Sequence, residues 1–240
     1  MDALSIKTIF TVTVGTRSIP ITETVIISWG IMVILIAASL VLCSRLKQIP
    51  SKPQVVLEMA VDFLNNFAKE QFGSFSKFIG PYIGSLFLFL LLSNIIGVLS
   101  PVELKIFGHS FIPPFFVRPP TRDINVTAAF AVISLLLVIV CGFIARGVGG
   151  WFKQLLHPLP FMLPFNIMEY GTRLISLALR LFGNILGAFV LMSMIEGLLP
   201  VALPAVFSLY FDFFDGILQA LIFVFLTSLY ISEAVHVHEE

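Results

Sequence analysis

Polar positions along most of this chain come in short clusters that separate long apolar runs. Three runs hold no charge and are bounded by charges on both sides. Thr24 to Ser44 lies between Glu23 and Arg45, Phe78 to Val102 between Lys77 and Glu103, and Ile124 to Ala145 between Asp123 and Arg146. Each reaches the roughly 20 mainly apolar residues that a helix needs to cross a bilayer. Inside lipid a backbone must satisfy its own hydrogen bonds, and no alternating strand pattern offers a closed barrel, so these runs predict helices.

Two other patterns stand apart. From Pro53 to Phe72, Val56, Met59, Phe63 and Phe67 recur at helical spacing while Glu58, Asp62, Asn65, Asn66 and Lys69 fill the other side. So narrow an apolar face predicts a helix lying along the membrane surface over 53–72; an amphipathic linker helix is the plainer alternative. Beyond Trp151, two long apolar stretches, 158–199 and 203–235, are punctuated by single charges instead of being ended by them. Glu169, Arg173, Arg180 and Glu196 fall in the first, Asp212 and Asp215 in the second, and Pro200 and Pro204 mark the joint. The prediction is a hairpin of two long membrane-embedded helices broken at the prolines. The expected fold class is therefore an all-α integral membrane protein. It has three transmembrane helices (24–44, 78–102, 124–145), one interfacial helix and the C-terminal hairpin, in a single membrane domain over 1–240.

Composition agrees with the pattern. The 240 residues are 58% hydrophobic and only 12% charged, against about 25% charged in an ordinary soluble domain. Twenty-five Phe against four Tyr suit a lipid-facing surface, which needs no polar handle. The formal net charge of zero removes any electrostatic case for nucleic acid. Cys43 and Cys141 lie in separate apolar runs and read as small lipid-buried residues, not a disulfide. The first twenty residues lack the basic start and cleavage site of a signal peptide, so the N-terminus is expected to be retained. Arg45, Lys47 and Lys52 follow the first run, and Arg146 and Lys153 follow the third. If the runs alternate in direction, these loops share a side, and the excess of basic residues makes it the cytoplasm. The expected orientation has the N-terminus outside and the C-terminus inside.

The charges within the hairpin change the picture most. A charge at mid-membrane costs about 2.5–3.5 kcal/mol on insertion scales and normally faces a protein interior or a water-filled cavity. Glu169, Arg173, Ser176, Arg180, Asn184 and Gly187 follow at spacings of three or four, forming one stripe on the first long helix. Ser208, Asp212, Asp215 and Gln219 repeat that spacing on the second, and Glu233 extends it. A hydrated ion pathway is the functional reading of these stripes. The structural alternative is a set of salt bridges, such as Asp212 or Asp215 with Arg173. Arg180 is hardest to explain structurally, since fifteen uncharged residues follow it and an arginine cannot shed its proton to escape burial. Gly183 and Gly187, four apart, would admit a close helix from this chain or from a partner.

The segment Ile-Ser-Leu-Ala-Leu-Arg-Leu-Phe-Gly-Asn-Ile-Leu-Gly-Ala (175–188) resembles the signature of subunit a of F-type ATP synthases. Gly216–Ile231, Pro120–Thr127 and Leu91–Gly97 are similar to further segments of that family, in order along nearly the whole chain. The resemblance implies the static half of a membrane motor, abutting a rotating ring of c subunits that each bear one ion-carrying carboxylate. It implies b-type peripheral stalk subunits as further partners and no bond chemistry by the chain; the short chain with its acidic tail points to a bacterial plasma membrane as location, with an organelle as the alternative. By motif position Arg180 would face the ring carboxylate, with Asn184 and Gln219 its polar neighbours, and Glu169 falls where several relatives carry an acid. Two offset half-channels would complete the ion path, and Arg173 and Glu196, charges within the same apolar stretch, are read from their position as further candidates along it. The chain departs from the pattern at Phe189, where many relatives have an acid or histidine. Asp212 stands where relatives often have Glu or His, and Asp215 adds a second acid nearby, so the outer access path would rest on these two.

Other functions fit less well. An autonomous transporter or channel would favour inverted repeats, and the two halves show no such similarity. A haem-bearing redox subunit would need histidines at membrane depth, yet His109, His157, His236 and His238 fall in loops or the tail. No Walker loop, zinc spacing or nucleophile motif is present, so neither a metal nor a cofactor is expected. The choice between H⁺ and Na⁺ is not legible in the residues.

Overall fold

A computed structural model describes residues 8–14, 17–44, 51–99, 105–106, 109–110, 119–156, 159–198 and 209–235. Among the described residues the architecture is carried by α-helices α1 (Glu23–Ser44), α2 (Lys52–Phe72), α3 (Ser76–Leu99), α4 (Ile124–Leu156), α5 (Leu163–Leu198) and α6 (Gly216–Val235). A π-helical turn, Leu209–Asp215, leads directly into α6. The apolar-run pattern is silent before Thr24, and there the chain forms an antiparallel hairpin. Its strands are β1 (Thr8–Val14) and β2 (Arg17–Thr22), rich in the β-branched residues that suit a pleated surface. A second, two-residue pairing joins β3 (Lys105–Ile106) to β4 (His109–Ser110) within the loop after α3.

Among the described residues, four stretches are long and apolar enough to cross a membrane: Glu23–Ser44, Gln54–Ile96, Ile124–Lys153 and Phe213–Val235. The chain is a membrane protein. Helix α1 makes the point most directly, because its apolar side chains from Trp29 to Leu42 lie mostly exposed on the chain's own surface. Water would not tolerate so continuous an apolar face. Helix α5 is as long as any, and Glu169, Arg173, Arg180 and Glu196 punctuate its apolar character.

Two compact units can be distinguished, and α3, α4, α5 and α6 each contribute one part to both. The first comprises Met1–Ser44, Leu88–Val126 and Phe182–Ala220. A chain of buried polar contacts organises it. Thr24 Oγ1, at the start of α1, donates to Asp123 Oδ2 at 3.0 Å, while the Asn125 backbone N–H and side-chain amide donate to Asp123 Oδ1 at 2.9 and 3.0 Å. Asp123 immediately precedes α4, so its carboxylate takes up an N–H that the first helical turn leaves unpaired. Although it looks in the sequence like a span-bounding surface charge, it is only 6% exposed. Nearby Thr121 Oγ1 donates to Asn94 Oδ1 at 2.8 Å, and Asn94 Nδ2 donates to the Gly216 carbonyl at 2.9 Å. Asn94, Thr121 and Gly216 belong to three separate segments that carry the family resemblance. They meet here because each satisfies another's buried polar group.

The second unit comprises Arg45–Phe87, Thr127–Leu181 and Leu221–Glu240. Helix α4 reaches Leu156, well past the charge at Arg146 that closes the third apolar run, and it bends at Gly147. That residue has φ 69° and ψ 165°, a conformation costly for any residue with a Cβ. The bend brings Trp151 back over Gly142, where a Cβ would stand 2.9 Å from the indole Cδ1. Trp151 also packs on Phe143, with ring centroids 4.7 Å apart, and on Tyr170 of α5 at 6.2 Å. Helix α2 joins through Phe67, whose ring lies 6.5 Å from that of Phe225, and through Gln71, whose carbonyl accepts from Ser232 at 2.8 Å.

Candidate functional site

The polar stripes predicted on the two long helices divide into distinct groups. In the first unit, Asn184 of α5 donates through Nδ2 to Gln219 Oε1 of α6 at 3.3 Å. Gln219 is 3% exposed, and its Nε2 has no acceptor among the described residues. A buried amide with an unused donor is unfavourable unless water or a partner group supplies the acceptor. Gln219 lies one turn into α6, beyond the Gly216 carbonyl that Asn94 holds. Asp215 closes the π turn and is partly exposed.

Arg180 lies one turn before Asn184 on α5, in an otherwise apolar stretch. Its side chain is exposed, and among the described residues it makes no ion pair or hydrogen bond. Leu179 beside it is 56% exposed. A guanidinium displayed on an exposed apolar helix face would be costly inside a bilayer, and the cost falls only if an anion or water meets it.

Arg173, two turns earlier, is in the opposite situation. Its guanidinium forms ion pairs with Glu169 of the same helix and with Glu233 of α6, where Nη2 lies 2.8 Å from Oε2 and 2.9 Å from Oε1. Its carbon Cζ stands 4.7 Å from the ring centre of Tyr230 and 5.9 Å from that of Tyr170. A cavity of about 10 Å³ lies against it, lined also by Ser134, Thr227 and Tyr230, with room for one water. Thr227 Oγ1 is buried there and unpartnered among the described residues. The salt-bridge alternative drawn from the sequence is thus realised for Arg173, whose ion-pair partners among the described residues are Glu169 and Glu233. Two expected residues, Glu196 and Asp212, have side chains that lie outside the described residues, and so has Phe189.

Comparison with known proteins draws these segments together. The family model described as ATP synthase A chain matches residues 25–232, which is nearly the whole chain. The chain belongs to the ATP synthase A chain family. Two relatives show how close that membership is. One, from Propionigenium modestum, is named "ATP synthase subunit a, sodium ion specific" and is 33% identical over 221 residues, covering 92% of this chain and 76% of its own. The other, "ATP synthase subunit a" of Moorella thermoacetica, is 34% identical over 220 residues, covering 92% of this chain and 94% of its own. ATP synthesis and ion transport in a membrane are the family's work.

Family membership leaves some contacts to be found by geometry. Glu233 is placed by the sequence only as a loose extension of the second stripe, yet it is the partner of Arg173 across 60 residues. Asn94 and Thr121 belong to segments of recognisable family character, but no spacing rule announces that they hold Gly216. Neither pairing leaves a periodic trace, because each joins elements that are distant in sequence.

Proposed function

We propose that this chain is the stator subunit a of an F-type ATP synthase membrane sector, in the plasma membrane of a bacterium. It couples ion movement to rotation of a ring of c subunits. The observation that carries this reading is Arg180, an exposed guanidinium that has no partner among the described residues, on a long apolar helix. A ring subunit must keep its carboxylate neutral, with ion bound, while it faces lipid, because a bare charge there is too costly. Opposite Arg180 the carboxylate is stabilised as an anion, since attraction between opposite charges is far stronger in low dielectric than in water. It then releases its ion toward one half-channel and reloads from a second, offset one before returning to lipid. Arg180 repels cations and so blocks direct leakage between the two channels. Each charge that crosses contributes about 2.3 kcal/mol per 100 mV.

Asn184 and Gln219 supply a hydrogen-bonded amide pair, and the Gln219 Nε2, unpartnered among the described residues, is available to an acceptor such as channel water or the ring carboxylate. Asp212 and Asp215 serve the outer access path in place of the acid or histidine that Phe189 displaces. Glu196 lines the same long helix. The peripheral stalk, with b-type subunits, holds the chain against the torque. The coupling ion is H⁺ or Na⁺, and the sodium-specific relative makes the second a concrete option.

The test is reconstitution of the whole complex in liposomes with Arg180→Ala. ATP-driven ion uptake should fall below detection while ATP hydrolysis persists, and passive ion flux through the membrane sector should rise. Normal coupled uptake by this variant overturns the assignment. Omitting sodium from the same assay distinguishes the ions: hydrolysis that needs millimolar Na⁺ marks a sodium motor.

A further inference from the structure

We infer that Arg173, Glu169 and Glu233 are a fixed joint between the two long helices, a positioning element for the ion path and not a relay within it. The inference rests on the stator reading above, because it assigns a role to charges on the same helices. Four features of the geometry carry it. The guanidinium is held from two sides at once, by Glu169 four residues earlier on α5 and by Glu233 in the last turn of α6. The ring of Tyr230, one turn before Glu233, lies under it at 4.7 Å, so Arg173 is stacked as well as paired. The Arg173 side chain is 16% exposed, whereas those of Glu169 and Glu233 are 54% and 49% exposed. The permanent charge is therefore the inner member, and the two titratable groups form its outer rim. Finally, the Glu233 backbone carbonyl accepts from Arg146 Nη2 of α4 at 3.3 Å, while neighbouring Ser232 donates to Gln71 of α2.

The end of α6 is thus tied to α2, α4 and α5 together. Carbonyls in the last helical turn have no amide partner within the helix and carry partial negative charge, so guanidinium groups are natural partners there. An ion relay has different needs. Its carboxylates must exchange their cation with water or with each other, and a guanidinium that cannot deprotonate and that holds both of them opposes exchange. Isolated pairs this exposed contribute little, but two carboxylates, a stacked ring and a second arginine make a network. Such a network fixes α6 against α5 in both height and rotation.

The decisive experiment exchanges the charges. Arg173→Glu leaves three carboxylates with no cation, and Glu233→Arg leaves two arginines with one carboxylate. The double exchange again places one guanidinium between two carboxylates, now from α6 toward Glu169 and residue 173. Whole complexes carrying each variant are purified and reconstituted, and two quantities are read: subunit a recovered per complex and ions pumped per ATP hydrolysed. A joint predicts that each single variant loses at least about tenfold in one of them, and that the double exchange returns to within about threefold of the parent. If the double exchange stays as low as the single variants, in assembly or in pumping, the joint is overturned and a carboxylate is required at position 233 for its own chemistry. Arg180→Ala in parallel keeps the two conclusions separate. Coupled pumping by that variant would undo the stator reading, whereas the exchange result bears on the joint alone.

Discussion

At the scale of single residues, burial and partnership separate charges that look alike in the sequence. Arg173 and Arg180 lie two turns apart on α5, yet Arg173 is gripped by two carboxylates and Arg180 is displayed without a partner among the described residues. The same contrast applies to carboxylates. Asp123 is buried and accepts from Thr24 and Asn125, so removing a donor should be felt in stability. Thr24→Val keeps the side-chain shape but leaves Asp123 Oδ2 with one donor fewer. It should lower stability by about 1–3 kcal/mol, read as a lower melting temperature of the detergent-solubilised complex, while Thr24→Ser should stay near the parent. Gln219→Leu would similarly strand the Asn184 donor, and a loss of pumping with retained assembly is the expected outcome in proteoliposomes.

At the scale of elements, helical segments were legible where apolar runs are long and uninterrupted, because lipid leaves the backbone no alternative. What the runs hide is where a helix bends or changes pitch. Helix α4 continues past Arg146 because the glycines after it allow a bend, and the bend seats Trp151 against Gly142. Gly147→Ala must hold a side chain at φ 69° and ψ 165°, a region open essentially to glycine alone, and should cost about 1–3 kcal/mol, measurable as a lower unfolding temperature. The π turn before α6 is equally invisible to hydropathy, since wider turns leave no sequence period of their own. Where it ends, Gly216 lies so close to α3 that an added Cβ would stand 3.0 Å from Asn94 Cβ. Gly216→Ala should therefore displace the start of α6, and ion pumping should drop more than the amount of assembled subunit does. Equal losses in both would show that the contact matters only for folding.

At the scale of the whole molecule, the proposed orientation rests on the basic residues after the first and third apolar runs, set against Lys105, Arg118 and Arg122 after the second. Helix α2 should then lie on the cytoplasmic face. A cysteine at Glu58, an exposed position on α2, tests this in a background lacking Cys43 and Cys141. A membrane-impermeant maleimide should label it in inverted vesicles and leave it unlabelled in intact cells; the reverse pattern would invert the topology. The membrane class and the family were both readable from sequence, the first from hydropathy and the second from the segments around Arg180, Gly216 and Thr121.

Hydropathy and local spacing determine membrane residence, the helical character of the apolar runs and the alignment of Glu169, Arg173, Arg180 and Asn184 along one helix. All of these depend on residues a few positions apart, or on the length of a run, and so are written in local order. Only the tertiary structure decided which charges are used up in holding the molecule together. Thr24 and Asp123 are 99 residues apart, Asn94 and Gly216 122 apart, and Arg173 and Glu233 60 apart. Whether a buried polar group is satisfied depends on the one group that packs against it, and packing brings together positions that no local pattern relates.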